Sequence, residues 1–329
     1  MSEFRQLPAA GVRGIRRVTI PCKFPVAILC VPNFSEGTRV PVLESIEAAI
    51  RSVAGTLLLG HEFERDHNRA VFTFAGPTEA VLESAVRAAC LAARDIDLRT
   101  HHGVHPRIGA ADVIPFIPLE DSSIEDCVPI AVRAAESIWA RARVPSFLYE
   151  FAARIPERRN LEYIRKRGFE ELLAKSQFET DLRPDVGGPG LHPTAGACAI
   201  GARRTLVAVN INLASSDVSV ADRIAKTIRA SSGGMPYVKA LGLMLRSTGT
   251  AQVSMNLTNY EVTGLAAVYE RVKQLAASSG VGIASTEVIG FPPRAAIEGA
   301  GEFLALCSHW NPGRILENAI AACSASQAK

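Results

Sequence analysis

The sequence predicts an α/β (α+β) protein built from two ferredoxin-like-type subdomains of similar plan, each a mixed β-sheet with helices on one face. Three observations predict it. Proline-led amphipathic helices alternate with short apolar, β-rich runs. The order strand–helix–strand–strand–helix–strand can be read twice along the chain. And 329 residues exceed what one hydrophobic core usually serves, so two units are expected.

In the first unit, Pro25 to Val31 is a β-rich run that the turn-forming stretch Pro32–Asn33–Phe34–Ser35–Glu36–Gly37 ends. Pro41 to Val53 is an amphipathic helix with Val42, Ile46, Ala49 and Ile50 on one face. Thr56 to Leu59 is a buried strand, a charged loop follows, and Arg69 to Ala75 is a second strand. Pro77 opens a helix to Arg94, and Asp112 to Ile117 is the next strand. Ser122 or Ser123 caps a helix to Arg141, whose first turn carries Glu125 and Asp126, and Val144 to Tyr149 is a further strand. A basic helical region from Ala153 to Ser176 and a glycine-rich loop from Asp185 to Gly196 close the unit.

The second unit runs Thr205–Leu213 (strand), Asp217–Ser231 (helix), Met235–Leu245 and Gln252–Leu257 (strands), Glu261–Ser278 (helix) and Val281–Glu287 (strand), with helices to the end. The expected division is therefore 25–204 and 205–329. Residues 1–24, arginine-rich and without a signal-like apolar core, are expected to form a disordered extension.

Composition narrows the partners. A net charge of +3, with no basic face interleaved with aromatics, gives no reason to expect nucleic acid. The seven cysteines are scattered, with no Cys-x-x-Cys pair, which argues against disulfides and structural zinc and for a reducing, cytoplasmic setting. No run reaches the roughly 18–20 apolar residues of a membrane span.

Four constellations could carry chemistry. His101–His102–Gly103–Val104–His105–Pro106–Arg107 places three imidazoles in a loop before a strand. It reads as an acid–base centre oriented by Arg107 and Asp112, as a structural loop, or as a metal site. Gly103 and Pro106 oppose the helix that would set His101 and His105 on one metal-binding face. His61 to Arg69 is either a solvated charged hairpin or a ligand loop at a strand end. The loop Asp185–Gly196 is either an interdomain linker or a ligand-facing backbone freed of side chains by its glycines; it has no phosphate-loop signature. The arginines between 154 and 167 read as a solvated helix face or an attractor of a polyanionic tail.

Taken in order, several segments resemble one family. They are Cys30–Val31–Pro32–Asn33–Phe34–Ser35–Glu36–Gly37, Asp66–His67–Asn68–Arg69, His101-x-Gly103-x-His105–Pro106–Arg107, Gly109–Ala110, Asp112–Val113 and Pro115–Phe116–Ile117–Pro118. Gly201–Ala202–Arg203, Asn210–Ile211–Asn212–Leu213 and Gln252–Val253–Ser254–Met255–Asn256–Leu257 continue them. From about residue 26 to 305 the chain resembles glutamate formimidoyltransferase, the transferase part of formimidoyltransferase-cyclodeaminase, in its monofunctional form.

The resemblance implies an enzyme of histidine degradation and one-carbon metabolism. It would transfer the formimino group of N-formimino-L-glutamate to N5 of tetrahydrofolate, the co-substrate, which can be polyglutamylated. It implies His105 as general acid/base and folate binding by Gly187, Gly188, Pro189, Gly190, Leu191, His192, Pro193, Thr194, Ala195 and Gly196. Asn33, Glu62, Asn68, Arg69, His101, Arg107, Asp112 and Arg203 are its substrate-binding candidates. It implies a homodimer with substrates between the subdomains, and no metal, membrane or nucleic acid.

The sequence departs from the family pattern at Gly60 and Val104, where acids are usual, and at Arg183 and Val186, where aromatics are usual; the first 25 residues have no counterpart. These changes keep two rival expectations in view: N-formylglutamate-dependent formation of 5-formyltetrahydrofolate, and a folate-binding homologue without turnover.

Overall fold

Two β-sheets organise the chain, one mixed and one antiparallel. The structure is a computed structural model that describes residues 27–65, 67–103, 106–119, 122–245 and 247–327. The extension 1–24 and the residues Val104 and His105 lie outside the described residues.

The first sheet is formed by β1 (Ile28–Cys30), β2 (Asn33–Phe34), β3 (Leu57–Glu64), β4 (Arg69–Gly76), β5 (Ala111–Pro118), β6 (Ser146–Glu150) and β7 (Cys198–Ala202). β1 and β2 both pair with β4 and β5, so they are one line broken at Val31–Pro32. Pro32 has no N–H to give to the ladder, but its carbonyl still accepts the Phe72 N–H at 3.0 Å. Across the sheet the order is β3, β4, β1/β2, β5, β7, β6. The first four lines make the split βαβ plan that the sequence predicts.

Three helices cover one face: α1 (Val40–Arg51), α2 (Thr78–Asp95) and α3 (Ile124–Ala142). α1 buries Leu43, Ile46 and Ile50 at helical spacing. α3 begins with a capping box between Ser123 and Asp126. Phe34, Phe72, Phe74 and Phe116 fill the core beneath them.

Three differences from the sequence reading follow. β3 continues to Glu64, so His61–Glu64 is strand rather than loop. Among the described residues β3 pairs only with β4, and as an edge strand it tolerates charged residues along its length. β7, five buried residues, was not predicted; it enters between β5 and β6 and is parallel to both. And the other face of the sheet is not bare. α4 (Leu161–Arg165) and α5 (Gly168–Lys175) lay Ile164 and Leu172 over Val113, Phe147, Tyr149 and Ala199.

The second sheet contains β8 (Val207–Leu213), β9 (Val238–Leu245), β10 (Thr250–Leu257) and β11 (Ile283–Ile289), ordered β11, β8, β10, β9. It is wholly antiparallel rather than mixed. α6 (Val218–Ile228) and α7 (Leu265–Ser278) cover one face, with α8 (Arg294–Ile297) and α9 (Gly301–Ala305) beside them. The last helix, α10 (Leu316–Gln327), crosses back: Leu316 and Ile320 pack on Leu29, Leu57, Ala75 and Ile117 of the first sheet.

Candidate active site

A polar cleft of about 180 Å³ opens where the end of β2, the start of β4 and the approach to β5 meet. Ser35, His67, Asn68, Arg69, His101, Arg107 and Asp112 line it. Five of these are predicted site residues, drawn from two segments some thirty positions apart.

Asn68 ties those segments together. It sits in the left-handed region at φ 47, which asparagine tolerates better than most residues. Its Oδ1 accepts the Gly37 N–H at 2.8 Å, and its Nδ2 donates to the His102 carbonyl at 2.9 Å. Its own carbonyl lies 2.9 Å from His101 Nε2. A carbonyl oxygen only accepts, so Nε2 carries the hydrogen and Nδ1 is left as an acceptor. Nδ1 is buried with no hydrogen-bond partner among the described residues. Burial lowers the His101 pKa, so the ring is neutral at pH 7. Gly103 is required beside it, because a Cβ there would stand 2.4 Å from the His67 carbonyl oxygen.

The far side of the loop is held as firmly. Arg165 Nη2 donates to the Pro106 carbonyl at 2.8 Å and to Asp112 Oδ2 at 2.7 Å. Asp112 Oδ1 accepts the Ile108 N–H at 2.7 Å. Arg107 Nη2 donates to the Leu98 and His101 carbonyls and to Glu170 at 2.8 Å. His102 and Pro106, on either side of the segment 103–105, are thus each held through their carbonyls. Burial brings the Arg69 pKa down to about 10, which still leaves it cationic at neutral pH. A cleft with Arg69 and Arg107 in its wall suits carboxylates, which guanidinium groups bind through paired N–H donors.

The turn entering α1 is built by Glu36. Burial raises its pKa, but the N–H groups of Arg39 and Thr38, with the Thr38 hydroxyl and the Arg39 side chain, outweigh that and hold the carboxyl below its usual range. Ser35 completes the wall by donating to the Gly109 carbonyl at 2.7 Å.

The glycine-rich loop is ordered by its own bonds, which removes the linker reading. Asp185 pairs with Arg158 at 2.6 Å, both nearly buried, and accepts the Leu148 N–H at 2.8 Å. Gly187, at φ +104, lies against Trp139 and Pro145. At its far end Thr194 accepts the Leu98 N–H at 2.8 Å and Ala195 accepts the Ala110 N–H at 2.9 Å. Gly196, at φ +70, would put a Cβ 2.0 Å from the Ile108 carbonyl oxygen. The loop therefore ends directly against the segment that follows His105. His192 Nδ1 accepts the Ala195 N–H at 3.0 Å, and burial lowers its pKa.

Three other predicted residues lie outside the cleft lining. Asn33 Nδ2 donates to the Val31 carbonyl within the strand line. Glu62 accepts the Gly290 N–H at 2.7 Å and is ion-paired with Arg314, so its carboxylate locks the end of β11 onto β3. Arg203 lies past the end of β7, where it donates to the Arg204 carbonyl and adjoins Tyr149.

Sequence reasoning missed Arg165, Ser35 and Glu170. Arg165 and Arg158 belong to the arginine group read as a solvated face; instead each makes an ion pair in which the carboxylate is buried. The signal for Ser35 was present in the Asn33–Gly37 motif. Gly60, where the family usually has an acid, faces Phe291: a Cβ would lie 3.0 Å from its ring. Among the described residues, no group of three or more His, Cys, Asp or Glu side chains is arranged to hold a metal, and no helix is long and apolar enough to cross a membrane.

Comparison with known proteins agrees along most of the chain. Residues 27–203 match the formiminotransferase domain, N-terminal subdomain, and residues 208–310 match the formiminotransferase domain. A glutamate formimidoyltransferase of Streptococcus pyogenes is 43% identical over 274 residues, covering 83% of this chain and 91% of that one. One from Thermoplasma acidophilum is 39% identical, covering 88% and 95%. The formimidoyltransferase-cyclodeaminase of Gallus gallus is 40% identical over 83% of this chain and 51% of its own. Both domain models match in order and the two glutamate formimidoyltransferases align over nearly their whole length: the chain belongs to the formiminotransferase family.

Proposed function

We propose that the protein is a glutamate formimidoyltransferase that moves the formimino group of N-formimino-L-glutamate to N5 of tetrahydrofolate. The observation that carries this is an arginine-walled cleft at which the chain on both sides of His105 is held, the His102 carbonyl by Asn68 and the Pro106 carbonyl by Arg165. Arg69 and Arg107 bind the donor's carboxylates, and the folate runs along the glycine-rich loop 187–196, which ends at the same segment.

The reaction forms one C–N bond and breaks another. N5 of tetrahydrofolate attacks the amidine carbon, giving a tetrahedral intermediate. A base takes the N5 proton as the new bond forms. The bond to the glutamate nitrogen then breaks as that nitrogen receives a proton. His105 performs both transfers in turn, because an imidazole titrates near neutrality. Such a group contributes typically ~10²–10⁴-fold, so holding both substrates in one cleft matters as much. The active form is a cytoplasmic homodimer of subdomains 25–204 and 205–329, with substrates held between them.

Purified protein is assayed for transfer to tetrahydrofolate from N-formiminoglutamate and from N-formylglutamate. The expected result is a higher kcat/KM for the formimino donor and a loss of at least ~10²-fold in His105→Ala. Preference for the formyl donor, folate binding without product, or full activity in His105→Ala would each overturn the proposal.

A further inference from the structure

His101 carries the most directional atom in the cleft wall. Its Nε2 donates to the Asn68 carbonyl at 2.9 Å, so the other ring nitrogen, Nδ1, holds a lone pair and no hydrogen. The opposite tautomer would set a lone pair against that carbonyl oxygen, so the contact fixes which nitrogen accepts. Nδ1 is buried and has no hydrogen-bond partner among the described residues. A buried acceptor without a donor is a costly state that a well-packed protein seldom keeps without a use for it.

The neighbouring wall groups have other commitments. Asn68 gives its NH₂ to the His102 carbonyl, and Ser35 gives its hydroxyl to the Gly109 carbonyl. The Asp112 carboxylate only accepts, from the Ile108 N–H and from Arg165. Arg107 Nη2 already faces three acceptors: the carbonyls of Leu98 and His101, and Glu170. The ring does not escape by taking up a second proton either. Burial, with the Arg107 cation nearby, lowers its pKa and keeps it neutral at pH 7.

An acceptor of this kind calls for a molecule with an N–H to give. The two one-carbon donors considered above differ at one atom of the group that moves. A formimino group ends in a nitrogen, which in a protonated amidine carries two N–H bonds and a share of positive charge. A formyl group ends in an oxygen, which only accepts. Arg69 and Arg107 would take the glutamyl carboxylates of either donor, so they do not tell the two apart. Nδ1 does: it pairs with the nitrogen, and it sets lone pair against lone pair with the oxygen. A site that must leave its own buried polar group unpaired rejects the wrong substrate.

We infer that His101 is the residue that selects a formimino over a formyl donor, its Nδ1 accepting a hydrogen bond from the terminal amidinium nitrogen of the group to be transferred. The inference rests on the formimidoyl-transfer reading above and names the atom that distinguishes the two donors.

Calorimetry on the full-length protein, without tetrahydrofolate, measures the affinities for N-formimino-L-glutamate and N-formyl-L-glutamate; steady-state assays with tetrahydrofolate give kcat/KM for each. His101→Phe and His101→Leu remove the acceptor. Both are expected to weaken the formimino donor roughly 10- to 100-fold, the range for losing a hydrogen bond to a charged group, and the formyl donor by at most about threefold. His101→Gln keeps an N–H for the Asn68 carbonyl and supplies an oxygen in place of Nδ1, so it is expected to restore the ratio of the two donors to within about fivefold of the parent. Equal losses for both donors would mean that His101 only shapes the loop, and would overturn the inference. So would an unchanged ratio in either folded variant, a ratio that glutamine fails to restore, or a parent protein that binds the two donors equally. A parent that binds the formimino donor more tightly but transfers neither group would sink the functional reading and leave this one standing.

Discussion

Asn68 is the residue whose replacement tests the site most directly. It makes two side-chain hydrogen bonds, one to each of the segments that form the cleft, from a left-handed backbone at φ 47. Alanine loses both bonds, each worth about 1 kcal/mol net, and adds about 1–2 kcal/mol of backbone strain, so Asn68→Ala costs about 3–4 kcal/mol. Glycine loses the bonds without the strain, so Asn68→Gly costs about 2 kcal/mol. At roughly 2–4 °C per kcal/mol, alanine lowers the melting temperature of the first unit by roughly 6–16 °C and glycine by about half of that. Both variants release His102 and slacken the loop, and misplacement by an ångström costs up to ~10²-fold in rate. Thermal melts and steady-state transfer assays on the pair give both quantities. If glycine proves as damaging to stability as alanine, the strain argument is wrong. If Asn68→Ala keeps transfer within threefold of the parent, the tether does not position the chemistry.

Other outcomes follow from the same bonds. Arg158 and Asp185 are each 6% exposed, so Asp185→Ala strands a buried cation and costs about 3–5 kcal/mol, while Arg158→Met with Asp185→Leu recovers most of it; melts of the two variants check this. Glu62→Gln weakens the lock on Gly290 and Arg314 by about 1–3 kcal/mol and leaves the donor KM within twofold; a tenfold rise in that KM would return Glu62 to the substrate. The pH dependence has a definite sign. Burial lowers the pKa of His101 and His192 in the folded state, so the unfolded chain binds their protons first. Their contribution is complete above the unfolded value of about 6.5 and is lost as pH falls through that value toward the folded ones. Urea titrations between pH 7.5 and 5 should show that decline, and it should flatten in His101→Gln with His192→Gln; an unchanged slope would contradict the burial account.

What the residues reveal by themselves depends on how far away their partners lie. The strands of the second sheet are legible because Val207, Val209, Ile211 and Leu213 alternate with residues on the polar face. β7 is not legible, since Cys198 to Ala202 are few, all buried and show no alternation. The cleft residues Asn68, Arg69, His101, Arg107 and Asp112 stand in two short motifs that contact each other. Glu62 and Arg165 are a different case: their partners are 252 and 53 residues distant, so no local pattern distinguishes a committed ion pair from a solvated one.

The glycine-rich loop shows how topology supplies what composition lacks. Its glycines and prolines suit a linker and a ligand loop equally well. β6 and β7 are adjacent and parallel, which demands a crossover, and residues 151–197 are that crossover. β7 is also parallel to β5, so both strands begin at the same end of the sheet. The loop that leads into β7 must then lie beside the loop that leads into β5. Gly196 meets Ile108, and Thr194 meets Leu98, because two parallel strands leave them no other place. The glycines at 187 and 196 are needed for that approach whatever ligand the loop receives, so their presence reports the crossover first. A folate site built there acquires its neighbour, the segment from Ile108 to Ala110 that follows the His-Pro-Arg motif, from the sheet and not from any signal in the loop's own residues.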